Sequence, residues 1–145
     1  MRRRDMFRAV LAAVGALLGQ RVAQAATSRA ARQKVAYHLS DLDKVNFVLG
    51  NIKNHYEGTG GDVDIVLVVH GPALAAFKSK GMSAAVSGRF TGLVRQGLEA
   101  QACANTMQGM DISLADLLDS FHAADRGGVV KLAELQSQGY AYLRP

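Results

Sequence analysis

The chain has 145 residues, 49% of them hydrophobic, which is room for one domain with one sizeable core and little else. Its formal charge of +5 invites a nucleic-acid reading, but the excess is local: Arg2, Arg3, Arg4, Arg8 and Arg21 stand against Asp5 alone in residues 1–25. Beyond them twelve Lys and Arg face eleven Asp and Glu, so no nucleic-acid partner is expected.

Residues 1–25 contain the parts of a removable signal peptide. A charged start through Arg8 leads into a modest apolar run from Ala9 to Gly19, and Ala23-Gln24-Ala25 offers the small-x-small pattern of a cleavage site. The run is too short to serve as a permanent membrane anchor. Paired arginines, weak hydrophobicity and Arg21 before the cut resemble a twin-arginine export signal, with Met6 where such signals usually carry Phe. This reading places the remainder of the chain in the periplasm; the competing one makes the segment an ordinary amphipathic helix. Residues 26–33 read as a flexible lead-in to a domain over 34–145.

Within that domain, Lys34–Leu39 gives a short strand, and Ser40-Asp41 supplies capping oxygens for a helix over about Leu42–Tyr56. Val45, Val48, Leu49 and Ile52 recur at helical spacing, so this helix has one face to bury. Asp64–His70 is apolar without alternation, the pattern of a parallel strand covered on both sides. Gly71-Pro72 ends it and opens a helix over Ala73–Lys80; a second helix covers Arg89–Gln96, and Leu98–Cys103 reads as a strand. Ser113 with Asp116 resembles a capping box at the start of another helix. A strand falls within Phe121–Asp125, a helix over Val129–Gln138 and a last strand over Tyr140–Leu143. This alternation predicts an α/β fold, a mainly parallel sheet of about five strands between two helical layers.

In such sheets reactive groups gather beyond the carboxyl ends of the strands. Those ends carry His38, Ser40 and Asp41; His70 and Gly71; Cys103, Asn105 and Thr106; Asp125 and Arg126. Cys103 is the only cysteine, so no internal disulfide can form, and the thiol is either a small buried hydrophobe or a group kept for chemistry. Amides of the segment after it, with a cationic neighbour, would lower its pKa and favour the thiolate, the species able to hold sulfur as a persulfide. The bland alternatives are a scaffold role for His70 and a loop ion pair between Asp125 and Arg126. A soft-metal site of Cys103 with His70 or Met107 is a further possibility. Gly58-Thr59-Gly60-Gly61 precedes a strand and lacks the lysine of a phosphate loop, so no cofactor is expected.

The order of these segments resembles the DsrE/DsrF-like (YchN-like) family, in particular an exported, single-cysteine branch. The resemblance rests on Val66-Leu67-Val68-Val69-His70-Gly71, on Cys103-Ala104-Asn105-Thr106-Met107, and above all on the ending from Leu132 through Gly139-Tyr140-Ala141-Tyr142-Leu143-Arg144-Pro145. It spans about Lys34 to Pro145. The resemblance implies a flavodoxin-like three-layer sandwich assembled as a homo-oligomer, and a cysteine after the third strand that carries sulfur between a donor and an acceptor protein. Cys103 falls at that place. The residues after it, Ala-Asn-Thr-Met-Gln-Gly, replace the small-residue run and paired arginines of the cytoplasmic carriers. The expected site is Cys103 as sulfur acceptor, His70 as orienting or proton-transferring group, and Asn105 as hydrogen-bond donor. The alternative is a binding or assembly module of the same fold without chemistry.

Overall fold

The computed structural model describes residues 31–145, and the leader predicted over residues 1–25 lies outside them. Five strands, β1 (Gln33–Leu39), β2 (Val63–Val69), β3 (Glu99–Cys103), β4 (Phe121–Ala124) and β5 (Ala141–Leu143), form one sheet in the order β4-β3-β2-β1-β5. Every neighbouring pair is parallel. The α/β class and the parallel five-stranded sheet are as the sequence predicts.

The helices are α1 (Val45–Gly58), α2 (Ala84–Arg95), α3 (Ala104–Gly109) and α4 (Gly128–Ser137). The buried stripes of α1 (Val45, Val48, Leu49, Ile52, Tyr56) and α2 (Val86, Phe90, Leu93) pack on one face of the sheet. Phe77, Phe90 and Phe121 close that core, with ring centroids 5.0 to 5.4 Å apart. The chain steps from β1 to β4 in one direction, and the β4–β5 connection then returns across the sheet to the far side of β1. This return carries α4 over the opposite face, where Leu132 and Leu135 meet Ala36, Val66 and Val68.

The elements differ from the sequence reading in several places: α2 begins at Ala84, ahead of the predicted Arg89, and α3 was not predicted. Ser40 and Asp41 make no cap bond; the first turn, Leu42–Lys44, is 3-10 and passes directly into α1. The helix predicted over Ala73–Lys80 is a 3-10 segment, Gly71–Phe77. At three residues per turn, Leu74 and Phe77 point the same way and both enter the core. Beyond Phe77 the chain is diverted into pairing, with Lys78 bridging Leu117 and Leu118 N–H donating to the Phe77 carbonyl at 2.9 Å. The same pairing limits the helix expected at Ser113 to one 3-10 turn, Leu114–Asp116, although its capping box is formed. The lead-in is ordered at its end: Arg32 pairs with Asp64 at 2.9 Å and donates to the carbonyls of Gly61 and Val63, both at 3.2 Å.

Candidate functional site

Cys103 is the last residue of β3 and the N-cap of α3, with extended backbone (φ −62°, ψ 117°). That position aims the unpaired N–H groups of the first helical turn at the cap side chain. A neutral thiol is a weak acceptor and makes no capping hydrogen bond here. The thiolate is served much better. Burial alone would push the Cys103 pKa up, but the Thr106 hydroxyl and the N–H groups of Thr106, Gly128 and Asn105 together outweigh it and hold the pKa below the ordinary thiol value. The Thr106 oxygen accepts from Gly71 N–H at 2.9 Å, which leaves its own proton free for the sulfur.

Gly128 contributes the donor from outside α3, and it can do so because it has no side chain. A Cβ there would lie 3.3 Å from the Cβ atoms of both Cys103 and His70. Gly127 before it has φ +95°, and a Cβ would come within 2.7 Å of Asn105 Nδ2. The two glycines therefore let the start of α4 press against the end of β3. His70, Cys103, Asn105, Thr106 and Arg126 surround one cavity of about 320 Å³, whose wall is completed by Gly127, Gly128, Val129 and Val130. Among the described residues no carboxylate lines it.

The structure thus brings the three predicted site residues, Cys103, His70 and Asn105, to a single cavity. Burial, then Arg144, pushes the His70 pKa down despite Asp41, so the ring is neutral at pH 7 and is not a cationic neighbour of the thiol. His38 is pushed further, to about 4, by burial first and then by His70 and Arg144. Arg126 is salt-bridged to Glu134 and not to Asp125. Met107 packs against the large core on the α1/α2 face, so it is no partner for a metal at the thiol. Among the described residues no group of three His, Cys, Asp or Glu is placed to hold a metal ion.

His38 joins the site through His70: their Nε2 atoms are hydrogen-bonded, and His38 Nδ1 lies 2.6 Å from the Tyr142 hydroxyl. Ser40 and Asp41, also at a strand end, hold Arg144 instead, at 3.0 and 3.7 Å. Sequence reasoning missed Gly127, Gly128 and Tyr142. The glycine pair was legible as a break but not as a close approach, and nothing in the spacing ties Tyr142 to His38, 104 residues earlier. A larger groove of about 520 Å³ between α1 and α2, lined by Gly50, Gly88 and Gly92, contains neither thiol nor imidazole.

A model of the DsrE/DsrF-like family matches residues 20–145. A search of curated proteins returns no match. Among solved structures the chain is similar to MTH1491 from Methanobacterium thermoautotrophicum, a protein of unknown function, at 25% identity and a TM-score of 0.70, covering 78% of this chain and 99% of that one. The ychN protein from E. coli is 16% identical with a TM-score of 0.58, over 78% of this chain and 99% of its own. BT1422 from Bacteroides thetaiotaomicron, a conserved protein of unknown function, is also 16% identical with a TM-score of 0.58, over 82% and 100%. The last two likenesses concern the fold.

Proposed function

This chain belongs to the DsrE/DsrF-like family, and from that premise we propose that it handles sulfane sulfur through Cys103. The family points to sulfur relay; the finer reading, a persulfide carried on this cysteine, rests on one observation. Cys103 sits where two helix starts and a hydroxyl converge, and those donors favour its anion although the residue is only 5% exposed. A buried thiol retained only for packing would have its pKa raised.

The transfer needs no cofactor and no net redox change. The Cys103 thiolate attacks the outer sulfur of a donor persulfide, R–S–SH. The donor S–S bond breaks, its electron pair leaves on R–S⁻, and Cys103–S–SH forms. The persulfide is then passed on by the same exchange, with Cys103 as the leaving thiolate. The carboxylate-free cavity, with Arg126 at its rim, suits anionic sulfur species. His70 faces this exchange as a neutral ring, and Asn105 offers an amide donor. On this reading the protein works after export, as a homo-oligomer, with separate donor and acceptor partners.

The test is to incubate the protein with polysulfide, remove the excess and weigh the intact chain. One added sulfur atom on the wild type and none on Cys103→Ser is the expected result. An unmodified wild type, or equal uptake by the variant, overturns the proposal. A thiol inert to alkylation as well would favour an assembly module without chemistry.

A further inference from the structure

His38 is the one polar residue among the described residues that counts as buried, at 8% exposure, and both of its ring nitrogens are engaged. Nδ1 meets the Tyr142 hydroxyl at 2.6 Å, and Nε2 meets Nε2 of His70, with the two ring planes inclined by 25°. Both rings are neutral at pH 7, as their lowered pKa values require. A neutral imidazole has one N–H and one lone pair. The three groups can therefore be satisfied in only two ways, which differ by reversing every hydrogen bond. A phenol O–H is the better donor and an imidazole nitrogen the better acceptor, which selects the direction that starts at the tyrosine. In that direction Tyr142 donates to His38 Nδ1, His38 carries its proton on Nε2 and donates it to His70 Nε2, and the proton of His70 is left on Nδ1.

We propose that Tyr142 and His38 are positioning residues of the thiol site, which through this chain of hydrogen bonds lock His70 as its Nδ1–H tautomer beside Cys103. Nδ1 is then the His70 nitrogen outside this network, left as the donor available to sulfur held in the cavity that His70 lines. The geometry of the lock stands by itself; its consequence for sulfur transfer rests on the function proposed above. The lock reaches the site from the carboxyl-terminal edge of the sheet, where β5 is only three residues long. The tail is pinned there by Arg144 on Ser40 and Asp41 and by Lys44 donating to the Pro145 carbonyl at 3.3 Å.

Imidazole nitrogen spectra of the ¹⁵N-labelled full chain at neutral pH read the tautomers directly. The wild type is expected to show His38 protonated on Nε2 and His70 on Nδ1. Tyr142→Phe keeps the ring and removes the donor, so His70 becomes a tautomer mixture, and Cys103 takes up sulfur from polysulfide several-fold more slowly, to the same final extent. His38→Gln can still accept from Tyr142 and donate to His70, so it preserves the His70 state, whereas His38→Leu does not. The proposal fails if wild-type His70 carries its proton on Nε2, or if its tautomer is the same in the wild type, Tyr142→Phe and His38→Leu. Should Tyr142→Phe not fold, the Gln and Leu pair decides. A wild type that takes up no sulfur defeats the functional reading alone and leaves the spectra to judge the lock.

Discussion

Cys103 shows how a residue's place in the backbone can determine its chemistry. On the interior of β3 the same side chain would be a small hydrophobe. As the N-cap of α3 it faces the amide donors that Ser or Asp satisfies at other helix starts. Its alkylation rate should therefore reach half-maximum at a pH below that of an unperturbed cysteine. Thr106→Val should move that midpoint upward, because it removes the leading donor to the sulfur, and should cost about 1 kcal/mol of stability by leaving Gly71 N–H without its acceptor. A midpoint unchanged by the variant would show that the hydroxyl does not act on the thiolate. Gly128→Ala tests the second helix start. The added methyl would lie 3.3 Å from the Cβ atoms of Cys103 and His70 and 3.5 Å from Val68 Cγ1, none of which can move freely. It should cost about 1–3 kcal/mol in a urea titration and raise the thiol midpoint as the Gly128 N–H withdraws. A fully stable variant with an unaltered thiol would contradict the close-approach argument.

At the scale of elements, what the sequence made legible follows what each segment buries. Val63–Val69 is covered on both faces, so its apolar run identified a central parallel strand without reference to its neighbours. The stripe of α1 was equally plain. The 3-10 segment after β2 was read as a helix because Pro72 suits a helix start of either kind; the choice was made by the pairing of Lys78 with Leu117, far along the sequence and outside any local pattern. α3 was invisible for a different reason: Ala-Asn-Thr-Met-Gln-Gly is short and of indifferent helix propensity, and it buries no residue fully. The thiol was thus found at the right strand end while the helix that tunes it was not. Nor does spacing encode strand order, so the meeting of His38, His70 and Tyr142 could only be seen in three dimensions. The docking of α4 makes a checkable link between packing and chemistry. Leu132 and Leu135 hold this helix on Ala36, Val66 and Val68, and its first residue supplies a donor to the sulfur. Leu132→Ala should destabilise by about 2–4 kcal/mol and should also raise the alkylation midpoint of Cys103, although residue 132 does not line the cavity. Loss of stability with no change at the thiol would show that the start of α4 is held independently of its buried side.

For the whole molecule, the same buried histidines tie stability to pH. His38 has its pKa lowered from 6.5 to about 4, so the folded chain refuses a proton there that the unfolded chain accepts. Between those two values the unfolded state binds more protons, and stability rises with pH across that window and levels off above 6.5. Read downward, the contribution is lost as pH falls from 6.5 toward about 4, and its size is at most a few kcal/mol. His70, also lowered, adds in the same direction. Other shifted groups act elsewhere. The Cys103 thiol, depressed from 9.0, contributes in the alkaline range, where its anion forms earlier in the folded chain. Asp116, held below 3.8 by the Ser113 hydroxyl and amide, acts only at stronger acidity. The mildly acidic window therefore isolates the histidine pair. Urea midpoints measured from pH 4 to 8 should fall steadily for the wild type once pH drops below 6.5, and should fall less for His38→Gln, which keeps hydrogen-bonding groups but has none to titrate. Parallel curves for the two proteins would mean that His38 is not held neutral by the fold.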